Sequence, residues 1–177
     1  MSTLKVSTIS PVGTDATKTI TLGDSAGTLA IASGAKTSGF GKIGQVVQAT
    51  QNTTDTITST SYVTTSLNAS ITPSSTSSKV LALASLTLDN NADMRTDATL
   101  YRGSTNIFSG VNDNSAWITW NTISEGRIIA MQSNNYLDSP ASTSSLTYTI
   151  YLRVQESTAQ LMGAEATSTL TLLEILD

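Results

Sequence analysis

The chain has 177 residues, 9 Lys and Arg against 13 Asp and Glu, and neither His nor Cys. That composition excludes disulfide frameworks, imidazole or thiolate catalysis, and the usual zinc, haem and redox-thiol sites. A net charge of −4 argues against nucleic acid as a partner, because phosphates are neutralised by clustered Lys and Arg.

The opening Met1–Lys5 has no basic stretch leading into an apolar run, so no signal peptide is expected. No segment approaches the ~18 consecutive apolar residues of a spanning helix, so membrane insertion is not expected either. Seven of the 11 Gly fall within the first 44 residues. Between them lie short alternating runs at Leu4–Ile9, Thr19–Leu22 and Thr28–Ala32. A segment of that size, with two or three apolar side chains per strand, cannot close a core alone. Identical copies would supply the rest, as in an intertwined trimeric stem, and small Gly-rich strands let several backbones approach one axis. Leu4, Val6, Ile9, Ile20, Leu22, Leu29 and Ile31 are the apolar candidates for that attachment segment. A hinge-like stretch, Lys36–Lys42, then marks a boundary, giving a stem over residues 1–43 and a second domain over 44–177.

From Gly44 onward, strand succeeds strand. Residues 53–78 hold 17 Ser or Thr in 26 positions but only Pro73, which suits exposed β-surface better than a mucin-like stalk. Lys79–Leu88 is apolar on both sides at its start, as a central sandwich strand is. Ala98–Arg102 and Asn106–Phe108 form a hairpin pattern about Gly103-Ser104. Trp117–Trp120 and Arg127–Met131 flank a turn at Ser124–Gly126, and Gln132–Pro140 reads as a polar loop carrying Tyr136. Leu146–Gln155 alternates without a break, placing Leu146, Tyr148, Ile150, Leu152 and Val154 on one side. Thr158–Ala166 reads as a loop, and Thr169–Leu176 as a last strand paired into the sheet. Eight or nine strands without an amphipathic helix predict an all-β, antiparallel, jelly-roll-like sandwich behind the Gly-rich stem.

Carboxylates are the remaining candidates for catalysis. Asp89, Asp93 and Asp97 cluster, but as one polar loop they do not make a glycosidase pair. As an EF-hand-like run they lack the required Gly, replaced by Met94, and the bidentate Glu, replaced by Leu100. Gly34–Thr37 mimics only the end of a phosphate loop. No enzyme, metal or cofactor is expected. Trp117, Trp120, Tyr136 and Tyr101 are the aromatic candidates for surface recognition.

Ser 26 and Thr 31 together make close to a third of the chain, while only 12% is charged. Such a surface suits a large assembly or the outside of a cell, because uncharged contacts lose little to ionic screening. With apolar residues on both sides of some strands, it predicts a homotrimer. Several segments resemble tail-fibre and virion structural proteins of aquatic tailed phages: Leu4–Ile9, Thr19–Gly23, Gly44–Gln48, Ile71–Ser75, Leu100–Gly103, Leu137–Pro140 and Leu170–Ile175. That resemblance implies a trimeric virion protein with an N-terminal attachment segment that docks on other virion proteins. It also implies a jelly-roll knob, similar to tumour-necrosis-factor-like trimers, which meets a host surface glycan or protein. The rivals are a capsid decoration trimer and a polysaccharide-degrading tailspike.

Overall fold

Residues 146–154 show how pattern becomes structure. Tyr148, Ile150, Leu152 and Val154 are buried while Thr147 is exposed and Thr149, Tyr151 and Arg153 are half-buried, the period of two that a pleated strand imposes. The computed structural model describes residues 42–90, 94–108, 117–121, 126–163 and 166–177, without the side chains of Met94 and residues 117–121. The attachment candidates Leu4, Val6, Ile9, Ile20, Leu22, Leu29 and Ile31 lie outside the described residues.

Every regular element among the described residues is a strand. In chain order they are β1 (Ile43–Thr50), β2 (Asp55–Ile57), β3 (Val63–Ile71), β4 (Lys79–Asn90), β5 (Met94–Arg102), β6 (Thr105–Asn106), β7 (Trp117–Asn121), β8 (Ile128–Asp138), β9 (Leu146–Val154), β10 (Ala159–Leu161) and β11 (Thr169–Ile175). All pairings are antiparallel.

The eight strands of five or more residues define the topology. One sheet runs β1-β11-β4-β8, with the short β10 and β2 continuing beside the far end of β4. The other runs β3-β9-β5-β7, with β6 folded back on β5. Numbered among themselves, the long strands read 1-8-3-6 in the first sheet and 2-7-4-5 in the second. That interleaving is the double Greek key of a jelly roll. The described residues form an all-β jelly-roll sandwich.

Between the sheets lie Leu67, Ile71, Leu86, Leu88, Leu100, Tyr148, Ile150, Leu152, Leu161, Leu170 and Leu172, each almost wholly removed from water. Burying an aliphatic side chain of this size is worth roughly 1.5–3 kcal/mol, so this layer supplies most of the drive to fold. Gly103, at φ 57, turns β5 into β6 through the left-handed region open to glycine.

Four sequence readings change. Tyr136 lies inside β8 rather than in a loop, half-buried and packed on Phe108 with ring centroids 5.3 Å apart. The segments on either side of Ser124–Gly126 enter different sheets, β7 beside β5 and β8 beside β4. Residues 159–161 form β10 because they complete the edge of β4. Asp89 is the next-to-last residue of β4 and Asp97 lies within β5, so neither belongs to a solvated loop.

Candidate functional site

The buried charges show what the titratable residues are used for. All four Arg of the chain pair with Asp. Arg127 reaches Asp89 Oδ2 through Nε at 2.7 Å and Nη2 at 2.6 Å. Asp97 accepts from Arg95 Nε on one oxygen, and from Arg153 Nε at 2.9 Å and Nη2 at 2.8 Å on the other. Between the sheets, Asp138 Oδ2 of β8 accepts from Arg102 Nη1 of β5 and from the Tyr148 hydroxyl of β9, each at 2.6 Å. Burial, the hydrogen bond to Asp138 and its negative charge push the Tyr148 phenol far above the ordinary tyrosine value. Burial works against the charge on Arg102, but the hydrogen bond to Asp138 and its field outweigh it, so the guanidinium is held more firmly protonated still. This trio ties one sheet to the other.

Glu174 of β11 is buried and does similar work at the other side of the first sheet. Its carboxylate accepts from the Ser74 N–H and hydroxyl, both at 2.6 Å, and from Gln45 Nε2 at 2.8 Å. Burial alone would raise its pKa, but the hydrogen bonds from Ser74 and Gln45 prevail and hold it below the usual carboxylate value. These acids lock the β3–β4 connection and both sheets in place. Of the Asp89, Asp93 and Asp97 cluster, the two described members are turned to arginines, and Asp93 lies outside the described residues. No group of three potential metal-ligating side chains occurs among the described residues.

The outer face of the second sheet is polar and aromatic. Tyr101 stacks on Tyr151 with ring centroids 4.0 Å apart, and the Arg153 guanidinium sits 4.7 Å above the Tyr62 ring. A pocket of about 250 Å³ opens beside Thr60, Arg95, Asp97, Arg153 and Gln155. Ser70 and Thr147 share a cross-strand hydrogen bond of 2.7 Å at the other end. Tyr101, one of the aromatic candidates, belongs to this face, half-buried. Tyr136 does not, since it points between the sheets. Trp117 and Trp120 lie on β7, opposite Ala98 and Arg95 in register, and their side chains are outside the described residues.

The outer face of the first sheet differs in kind. All six exposed large apolar side chains of the described residues are on it: Ile43 (54% exposed), Val46 (58%), Leu83 (39%), Ile129 (53%), Met131 (71%) and Leu137 (49%). Register lines Val46, Leu173, Leu81 and Leu137 up in one row across four strands. The next row reads Gln48, Thr171, Leu83 and Asn135, and the third Thr50, Thr169, Ser85 and Ser133. None of these twelve residues is charged. A shallow hollow of about 280 Å³ opens among Leu83, Ser85, Ser133, Asn135, Thr169 and Thr171. The sequence signal for this face was the double-sided apolar start of β4.

Among solved structures, the chain is similar to the VP2 subviral particle of infectious bursal disease virus, at 13% identity and a TM-score of 0.40. A structure of the Gx strain of that virus gives the same figures. In both, the alignment covers 75% of this chain and 37% of the other. The fold follows from the strand order alone. No protein-family model and no curated protein sequence matches the chain. Among the described residues, no helix is long and apolar enough to cross a membrane.

Proposed function

We propose that this chain is a non-enzymatic structural subunit of a tailed-phage virion. In this reading it is a short trimeric fibre or appendage, held by residues 1–43 and projecting the jelly roll of residues 44–177. The observation that carries the reading is an exterior built from short uncharged side chains while the arginines are engaged in ion pairs with buried aspartates. Hydroxyl and amide pairs span the strands outside, such as Gln48–Thr171 at 2.8 Å and Ser70–Thr147 at 2.7 Å. A particle exposed to changing salt gains from such a surface, because screening weakens exposed ion pairs and leaves these contacts alone. The segment resemblance to tail-fibre and virion proteins points the same way. The second sheet's outer face, with Tyr62, Tyr101, Tyr151 and Arg153, is the side offered to a host glycan or protein.

The uncharged central rows on the outer face of the first sheet also favour a second reading, a decoration trimer seated on the capsid shell. Gold-labelled antibody against the chain, applied to phage particles that carry it, separates the two. Label on the tail or at its base is expected; label spread over the head at threefold positions would move the chain to the decoration class. Incubation with host-surface polysaccharide is expected to leave chain lengths unchanged, and shortening would make it a tailspike enzyme.

A further inference from the structure

We propose that the outer face of the first sheet, centred on the row Val46–Leu173–Leu81–Leu137, is the surface on which copies of this chain pack around a threefold axis. The inference rests on the trimeric reading and assigns it a face. Monomeric proteins rarely leave contiguous apolar patches beyond a few hundred Å² in water. Here every exposed large apolar side chain of the described residues collects on a single sheet face. Four strands at about 4.8 Å spacing and seven residues at ~3.3 Å rise give a flat footprint of about 440 Å². That is the same order as the ~800 Å² of accessible surface one partner contributes to a stable interface, since projecting side chains enlarge the accessible area.

Two features select a second copy as the occupant. Each chain carries a net charge of −4, so like copies meet with least repulsion through uncharged rows; the three central rows of this face have none, Lys79 lying one row beyond them. The face also carries its own knob and its own hole. Met131 projects from β8, and the hollow among Leu83, Ser85, Ser133 and Asn135 accepts a side chain. A knob and a hole at different places on one face suit the heterologous contact of a closed ring, in which the knob of one copy meets the hole of the next.

The test uses the full chain. Light scattering of the unaltered protein is expected to return about three times the 18.5 kDa chain mass. Val46→Lys with Leu137→Lys is expected to weaken association by about a hundredfold or more, the two exposed apolar anchors at the ends of the row being lost. Asn68→Lys with Thr147→Lys, on the second sheet, is expected to leave the trimer intact. A Val46/Leu137 variant that stays trimeric overturns the assigned face and leaves the trimeric reading standing. An unaltered protein that runs as a single chain overturns both, and makes another virion protein the occupant. Should the lysine variant fail to fold, a thiol probe decides. The chain has no Cys, so Leu137→Cys and Thr147→Cys each introduce one thiol. Leu137→Cys in the assembled protein is expected to react with a maleimide about tenfold more slowly than Thr147→Cys; equal rates overturn the proposal.

Discussion

The two outer faces of this jelly roll are made by the same rule and end up opposite in character. Along β9, inward Tyr148, Ile150 and Leu152 alternate with outward Thr147, Thr149, Tyr151 and Arg153, and the outward set is polar or amphipathic. Along β4, inward Val80, Ala82 and Ala84 alternate with outward Leu81, Leu83 and Ser85, and the outward set stays mostly apolar. Alternation sends every second residue outward; composition decides whether that face wants water. One face holds Tyr–Tyr and Arg–Tyr contacts around a polar pocket, the other a row of leucine and valine. That contrast is what the proposed packing of copies on the first sheet rests on.

The harshest way to break the contrast is to uncouple the sheets that carry the two faces. Asp138→Ala leaves Arg102 and Tyr148 without their shared acceptor, and removing one partner of a buried pair is expected to cost about 3–5 kcal/mol. Urea unfolding followed by tryptophan fluorescence measures it; a loss below about 1 kcal/mol would mean the sheets are held by apolar packing alone.

Next comes acid. Glu174 has a folded pKa below its unfolded value, so its contribution is present above the unfolded pKa of about 4.3 and fades as pH falls through the lower folded value. Glu174→Gln is expected to lower stability at neutral pH by roughly 1–3 kcal/mol, the scale of a charge-assisted hydrogen-bond set. The difference between the two proteins should shrink on acidification below pH ~4. Thermal melts across that range decide the matter, and a constant difference would show that the Glu174 charge contributes nothing. At the alkaline end the sign reverses. Tyr148 keeps its proton in the folded chain, so stability is lost as pH rises above the unfolded tyrosine value of about 10. Tyr148→Phe should abolish that part of the alkaline decline.

The gentler tests sharpen the wet face. Tyr101→Ala removes the ring stacked on Tyr151 and is expected to cost about 1 kcal/mol beyond lost area, read from a double-mutant cycle with Tyr151→Ala. A coupling indistinguishable from zero would leave the stack as mere proximity. Thr147→Val removes the hydrogen bond to Ser70 on an exposed edge, and a change within about 0.5–1 kcal/mol is expected. A larger loss would show the hydroxyl ladder to be a main support of the fold.

Much of the architecture was legible residue by residue. Leu146–Gln155 declared its strand because period-two alternation has no helical equivalent, and Gly103 declared the β5–β6 turn because the left-handed region favours it. Tyr136 misled for an equally physical reason. Its neighbours Gln132, Ser133, Asn134 and Asn135 are polar, yet β8 is an edge strand whose inner side meets Phe108 and whose outer side is shallow. Local polarity reports neither fact. Asp89 and Asp97 looked like a loop because carboxylates are seldom buried. Arg127 and Arg153, distant in sequence, join the neighbouring Arg95 in offsetting the cost of burying them, and no local window contains the two distant partners.

Taken alone, the sequence determined that this chain would be built of strands, with a chemistry free of imidazole and thiol, a charge-poor exterior and a Gly-rich leading segment distinct from the strand-rich remainder. Those properties depend on composition and on nearest neighbours, which a linear string contains in full. Tertiary structure alone decided that β1, β11, β4 and β8 lie side by side. That order turns Val46, Leu173, Leu81 and Leu137, scattered over more than a hundred positions, into one apolar row. Strand order is a property of long-range pairing, set when the whole core closes at once, and only then do the two faces acquire their separate characters.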